Sequence, residues 1–223
     1  PRIHVVAPDL PGCGHSSAPS FSFEQCAELV VSLADERGWP RVSLLGHSMG
    51  TIVALEAVRR RPSLAAALVL VGGLPEPLPE ARARLAARAE RVERHGLAGL
   101  ASEVIDANFA RRTRRERPEL TASFGRAFEL QSPAQYVGAA RALAEWRMPS
   151  LPPLDGMPCL VVTGEEDLYA PPRAVAEFAA RLPAGTRVEI LKDCAHLPFL
   201  EQPSFFAALV ARFLEDARTW RSV

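Results

Sequence analysis

Gly46-His47-Ser48-Met49-Gly50 sets a serine between two glycines, after the apolar run Val42-Ser43-Leu44-Leu45 and before a helical run over Met49 to Arg60. On a tight strand-to-helix turn, a serine is held in a strained conformation with its hydroxyl free to attack a carbonyl. The next backbone N–H, that of Met49, then faces the oxyanion of a tetrahedral intermediate, and the helix N-terminus adds positive potential there. A serine N-cap flanked by packing glycines has the same letters, so the partners of Ser48 decide between the two readings.

A serine hydroxyl is a weak nucleophile until a base takes its proton. Of the five histidines, His4 falls in an apolar run, His15 in the loop after it and His95 in a helical stretch, while His47 adjoins Ser48 and points away from it on the turn. His196 remains, in Asp193-Cys194-Ala195-His196-Leu197-Pro198, just past the last strand signal. An imidazole base needs an acid to fix its tautomer and stabilise its charged form. Asp167, in Gly164-Glu165-Glu166-Asp167-Leu168-Tyr169-Ala170-Pro171, takes that role, with Glu165 and Glu166 as rivals. A metal site is disfavoured, because there is no H-E-x-x-H or Cys/His cluster and Cys194 with His196 lacks two further ligands nearby. Gly12-x-Gly14 lacks the third glycine and helix start of a nucleotide loop.

These residues need a scaffold that brings them to one edge. Short apolar runs at Ile3–Ala7, Val42–Leu45, Ala67–Val71, Cys159–Thr163 and Arg187–Leu191 read as strands. Helical spacing separates them, over Phe23 to Arg37, Met49 to Arg60, Val175 to Leu182 and Phe206 to Phe213. The alternation predicts an α/β fold with a mostly parallel sheet flanked by helices. Residues 74–149 carry no strand signal and are bounded by Pro75, Pro77 and Pro79 on one side and Pro149, Pro152 and Pro153 on the other. They are expected to form a helical cap inserted into a core of residues 1–73 and 150–223.

The 26 Lys+Arg and 26 Asp+Glu give no net charge, which argues against nucleic acid or an anionic membrane as partner and for a small molecule. The Arg111-Arg112-Thr113-Arg114-Arg115 run is followed at once by Glu116 and reads as a solvated helix face. Four dispersed cysteines fit a reducing, cytoplasmic setting, and no apolar run reaches the roughly 20 residues of a membrane span.

With its nucleophile, acid and base in the order Ser48, Asp167, His196, the chain resembles the α/β-hydrolase superfamily from that family's fourth strand to the C-terminus. Val6-Ala7-Pro8-Asp9-Leu10-Pro11-Gly12-Cys13-Gly14-His15-Ser16 is similar to the family's loop after that strand. Pro171 after Asp167, and Glu201 and Pro203 after His196, also fall where family members keep them. Within the superfamily the insertion resembles that of 3-oxoadipate enol-lactonase-like enzymes and carboxylesterases, through Arg91-Val92, Gly96-Leu97, Arg117-Pro118-Glu119-Leu120 and Ser132-Pro133-Ala134-Gln135-Tyr136. Asn108-Phe109-Ala110 departs from that group, and Thr51 replaces a frequent third glycine.

The resemblance implies an upstream strand with a His-Gly-type loop that completes the oxyanion hole. That strand belongs between those at Ile3 and Val42, so the first strands are expected to be missing from a parent of about 260–280 residues. The function implied is hydrolysis of a small carboxylic ester or lactone through an acyl-enzyme, with no cofactor. Alternatives are carbon–carbon bond hydrolysis or acyl transfer by the same residues, or a silent binding protein of the same fold. An acid-bearing substrate would require one of Arg82, Arg84, Arg88, Arg111 or Arg126 to face inward.

Overall fold

The computed structural model describes residues 3–18 and 20–219. Four strands, β1 (Val42–His47), β2 (Ala65–Val71), β3 (Cys159–Gly164) and β4 (Arg187–Leu191), form one sheet in the order β1-β2-β3-β4, every pair parallel. Parallel neighbours require crossovers. Helix α1 (Phe23–Glu36) precedes β1, α2 (Met49–Arg60) and a 3-10 turn (Pro62–Leu64) join β1 to β2, and α8 (Pro172–Ala179) joins β3 to β4. After β4 come the single turn α9 (Pro198–Glu201) and the C-terminal α10 (Pro203–Thr219). Between β2 and β3 the chain makes five helices: α3 (Pro79–His95), α4 (Ala101–Asn108), α5 (Arg111–Glu116), α6 (Pro118–Glu129) and α7 (Pro133–Glu145).

Alternation along the strands sorts the core into two layers. Leu68 and Leu70 of β2 and Val161 of β3 pack against Leu55 and Val58 of α2 and Val175 and Phe178 of α8. Their neighbours Val69, Val71, Leu160 and Val162 face the other way, onto Phe206 and Phe213 of α10. α1 adds Phe23 and Cys26 to Ile52 and Val53 on α2. Helices α3 to α7 have an apolar cluster of their own, in which Ala89 and Val92 meet Val104, Phe128 and Val137.

The register pairs His47 with Val71, Val71 with Val162, and Gly164 with Leu191. All four carboxyl ends therefore lie along one edge, the edge at which α/β sheets hold ligands.

Ile3–Ala7, expected as a strand, is not one. Ile3, Val5 and Val6 are 47%, 76% and 39% exposed and make no ladder. A β-branched run becomes a strand only against a neighbouring edge, and β1 carries no partner on its outer side among the described residues. No described helix is long and apolar enough to cross a membrane. Arg111, Arg112, Arg114 and Arg115 each pair with a carboxylate, namely Glu166, Glu116 and Asp193, Asp106, and Glu116 respectively. Cys26, Cys159 and Cys194 are buried free thiols, and Cys13 is a partly buried one.

Candidate active site

Ser48 sits between β1 and α2 with φ 53° and ψ −115°, a region that residues with a Cβ rarely occupy. Such a conformation costs on the order of 1–3 kcal/mol and persists only where its surroundings enforce it. The Ser48 N–H donates to Val71 O at 2.8 Å, extending the β1–β2 ladder into the turn, and Thr51 N–H donates to Ser48 O at 2.9 Å. Gly46 is the residue that lets the turn close. A Cβ there would stand 2.2 Å from Gly50 O, and no flexible side chain could yield. Gly50, the second glycine of the pentapeptide, faces open space instead.

His196 and Asp167 arrive from the loops after β4 and β3. They are 3% and 2% exposed, and His196 Nδ1 donates to Asp167 Oδ2 at 2.9 Å. Because a carboxylate can only accept, the shared proton lies on Nδ1, and Nε2 is left with its lone pair free. Asp167 Oδ1 accepts from the N–H groups of Tyr169 (2.8 Å) and Ala170 (3.0 Å), and Thr163 Oγ1 lies 3.3 Å from Oδ2. Burial alone would push this carboxyl up. The His196 imidazole and the two backbone donors outweigh burial and hold it below its ordinary value. Gly164 lets the two loops meet, since a Cβ there would lie 2.2 Å from Ala195 O.

Of the rival acids, Glu165 accepts from Asp193 N–H and Glu166 pairs with Arg111, so Asp167 is the carboxylate brought to His196. The remaining histidines lie elsewhere. His15 pairs with exposed Asp9, His4 stands edge-on to Trp39, and His95 is exposed at the end of α3.

Three contacts escaped the sequence reading. His47 Nε2 donates to the backbone carbonyl of His196 at 2.8 Å, and its ring packs against those of His196 and Phe199. Glu201 is buried and accepts from Ala195 N–H at 2.7 Å, Ala110 N–H at 2.8 Å and Thr113 Oγ1 at 2.7 Å. His196 N–H donates to Asn108 O at 3.1 Å. The loop bearing His196 is thus fastened to the strand-to-helix turn at Ser48 on one side and to the α4–α5 connection on the other. The only sequence signals for these contacts were the adjacency of His47 to Ser48 and the position of Glu201 five residues after His196.

Burial, then the nearby His196, pushes the His47 pKa down to about 3. Its folded value lies below the ordinary histidine value of about 6.5, so an unfolded chain takes up a proton that the native state refuses. The His47 contribution to stability is therefore present above pH ~6.5 and lost as pH falls toward 3. His47→Gln is expected to flatten the decline of the urea midpoint between pH 7 and pH 4. Parallel curves for the variant and the parent would contradict this.

Ser48, Met49 and His196 open onto one cavity of about 250 Å³. Its wall is completed by Ile52 and Gly72 to Leu74 from the sheet side and by Leu85, Arg88, Val104, Phe124, Phe128 and Tyr136 from α3, α4, α6 and α7. The lining is mainly apolar, with polar groups concentrated at Ser48, His196 and around Arg88, as ligand cavities are built.

A parallel sheet whose carboxyl edge carries a strained serine, a buried acid and a histidine defines a hydrolase of the α/β type. Residues 1–209 match the Alpha/beta hydrolase family, and the chain belongs to that family. Its fold is similar to that of a thermophilic esterase from Thermogutta terrifontis, with a TM-score of 0.84 and 28% identity, covering 95% of this chain and 79% of that one. It is also similar to the enol-lactonase of Burkholderia xenovorans LB400, with a TM-score of 0.79 and 25% identity over 92% and 78% of the two chains. A pimeloyl-[acyl-carrier protein] methyl ester esterase of Neisseria meningitidis is 29% identical over 227 residues, covering 95% of this chain and 83% of that protein.

Proposed function

We propose that the protein hydrolyses a small carboxylic ester or lactone by nucleophilic catalysis at Ser48. The observation that carries this reading is the strained Ser48 sharing one cavity with a histidine whose Nδ1–H is held by a buried carboxylate. Ser48 Oγ attacks the carbonyl while His196 Nε2 takes its proton. Asp167 keeps His196 in the required tautomer and stabilises the imidazolium. The Met49 N–H and the N-terminus of α2 receive the oxyanion. His196 then returns the proton to the departing alkoxide, and water repeats the sequence on the acyl-enzyme. These steps need no cofactor.

Residues 74–149 serve as a cap that excludes water and shapes the acyl pocket, a role supported by the residues of α3, α4, α6 and α7 on the cavity wall. The esterase, enol-lactonase and methyl ester esterase among the similar proteins support ester over amide chemistry.

A fluorophosphonate probe tests the nucleophile directly, because it forms a stable adduct only with an activated serine. Stoichiometric labelling at Ser48, slowed while a p-nitrophenyl ester competes and lost in Ser48→Ala, is the expected outcome. Failure of the protein to label while it folds normally would reject the assignment.

A further inference from the structure

Arg88 projects from α3 onto the cavity wall and is only 6% exposed. A guanidinium stays charged wherever it is placed, so its burial has to be compensated. Its Nε and Nη2 both lie on a single oxygen of Glu103, at 3.0 and 2.9 Å. The other oxygen of Glu103 is taken by Arg91 at 2.6 Å. One carboxylate therefore serves two guanidiniums, and the cluster keeps a positive charge.

The remaining edge of the fork, Nη1, is turned to the hydroxyl of Tyr169 at 3.4 Å, with the Tyr136 hydroxyl also beside Arg88. Both tyrosines line the cavity. A phenol that accepts from a guanidinium still has its own proton to donate. Arg88 and two polarised hydroxyls thus offer converging donors, and the Tyr169 ring packs on His196 with centroids 4.7 Å apart, which sets this cluster one side chain from the reacting centre.

Arg82, Arg84, Arg111 and Arg126 are spent or outside. Arg82 donates to Ala144 O and Trp146 O and pairs with Glu76, the one acidic side chain on the wall among the described residues. Arg84 reaches Leu168 O on the surface, Arg111 pairs with Glu166, and Arg126 is exposed on α6.

The geometry points to Arg88, with Tyr136 and Tyr169, as the anchor for a free carboxylate on the acyl part of the substrate. The substrates are then half-esters of dicarboxylic acids, or lactones that carry a carboxylate. This inference rests on the esterase reading above. A purely structural tie between α3 and α4 would need only the Arg88–Glu103 pair, and an apolar contact would serve there at no desolvation cost. The two hydroxyls on the cavity side are what that simpler role leaves unexplained.

The test compares monomethyl adipate with methyl hexanoate, a neutral ester of similar length, by methanol release. The parent is expected to favour the half-ester in kcat/KM, and Arg88→Gln to lower that preference by about 10-fold or more, chiefly through KM, as loss of a charge-assisted bond predicts. Glu103→Gln removes the counter-charge on α4 while leaving the cation, and is expected to keep the preference. A parent that hydrolyses both esters without preference, or an Arg88→Gln variant that loses both in proportion, overturns the anchor and leaves the esterase reading standing. Hydrolysis of neither ester counts against the esterase reading instead. Calorimetric titration of adipate into the parent then decides the anchor without turnover: binding that Arg88→Gln abolishes supports it, and no binding overturns it.

Discussion

Replacing Ser48 with alanine is expected to reduce ester turnover by about 10⁴- to 10⁶-fold while leaving the fold intact, the magnitude seen when a nucleophile that works as part of a unit is removed. The two effects separate because the Ser48 side chain caps nothing: α2 begins without a side-chain hydrogen bond from its N-cap. The turn is instead held by the backbone bonds Ser48 N–H to Val71 O and Thr51 N–H to Ser48 O, which alanine retains. Alanine also inherits the positive φ, so the strain is the same before and after. The thermal midpoint should therefore shift by no more than a surface substitution would, within about 0.5 kcal/mol. Retained turnover within tenfold of the parent, from a sample cleared of contaminating esterases, would transfer the nucleophile to another residue.

That separation follows from how the turn at Ser48 is written in the sequence. Gly46 is required by a contact between backbone atoms, so its identity is dictated by local geometry and could be read in advance. β1 to β4 were legible for a related reason. A central parallel strand is buried on both faces and shows as a continuous apolar run, as Ala67–Val71 and Cys159–Thr163 do. Ile3–Ala7 shows the limit of that signal. Its composition suits a strand equally well, but pairing depends on an edge that composition does not encode.

The contacts between separate segments were not legible. Glu201 joins Ala110 and Thr113, 91 and 88 residues away, to the loop before His196, and no periodicity predicts a bond over that distance. His47 adjoins Ser48 and points away from it on the turn, and nothing in the sequence tells that its ring holds the carbonyl of His196. Arg88 was one of five arginines of equal standing in the sequence. Only the packing of α3 against α4 and α7 turned it, and not Arg82, Arg84, Arg111 or Arg126, into a buried cation on the cavity wall beside Tyr136 and Tyr169. Local chemistry was readable from residue types, whereas the coupling of segments needed the fold.

Asp167→Asn is expected to lower kcat by up to ~10⁴-fold with little change in shape, and the reason lies in which oxygen is already committed. Oδ1 accepts from the fixed backbone donors of Tyr169 and Ala170, so the carbonyl oxygen of an asparagine must occupy that position. The amide NH₂ then faces His196 Nδ1 and Thr163 Oγ1, where Oδ2 used to accept. Two donors cannot share that bond, so His196 moves its proton to Nε2 and presents an N–H to Ser48 in place of a lone pair. The variant binds ester but lacks a base. Acid sensitivity should change with it. Because the folded-state pKa of Asp167 is depressed, its ionisation stabilises the native state above the unfolded carboxylate value of about 3.9, and that contribution is lost as pH falls through the folded value. Asparagine has no such term, so the stability of the variant below pH ~4 should fall less steeply than that of the parent. Glu166→Gln, which removes a surface pair with Arg111, serves as the control in both measurements. If the two variants lost activity to the same extent, Asp167 would have no special hold on His196, and the acid would have to be sought among the other carboxylates of the loop.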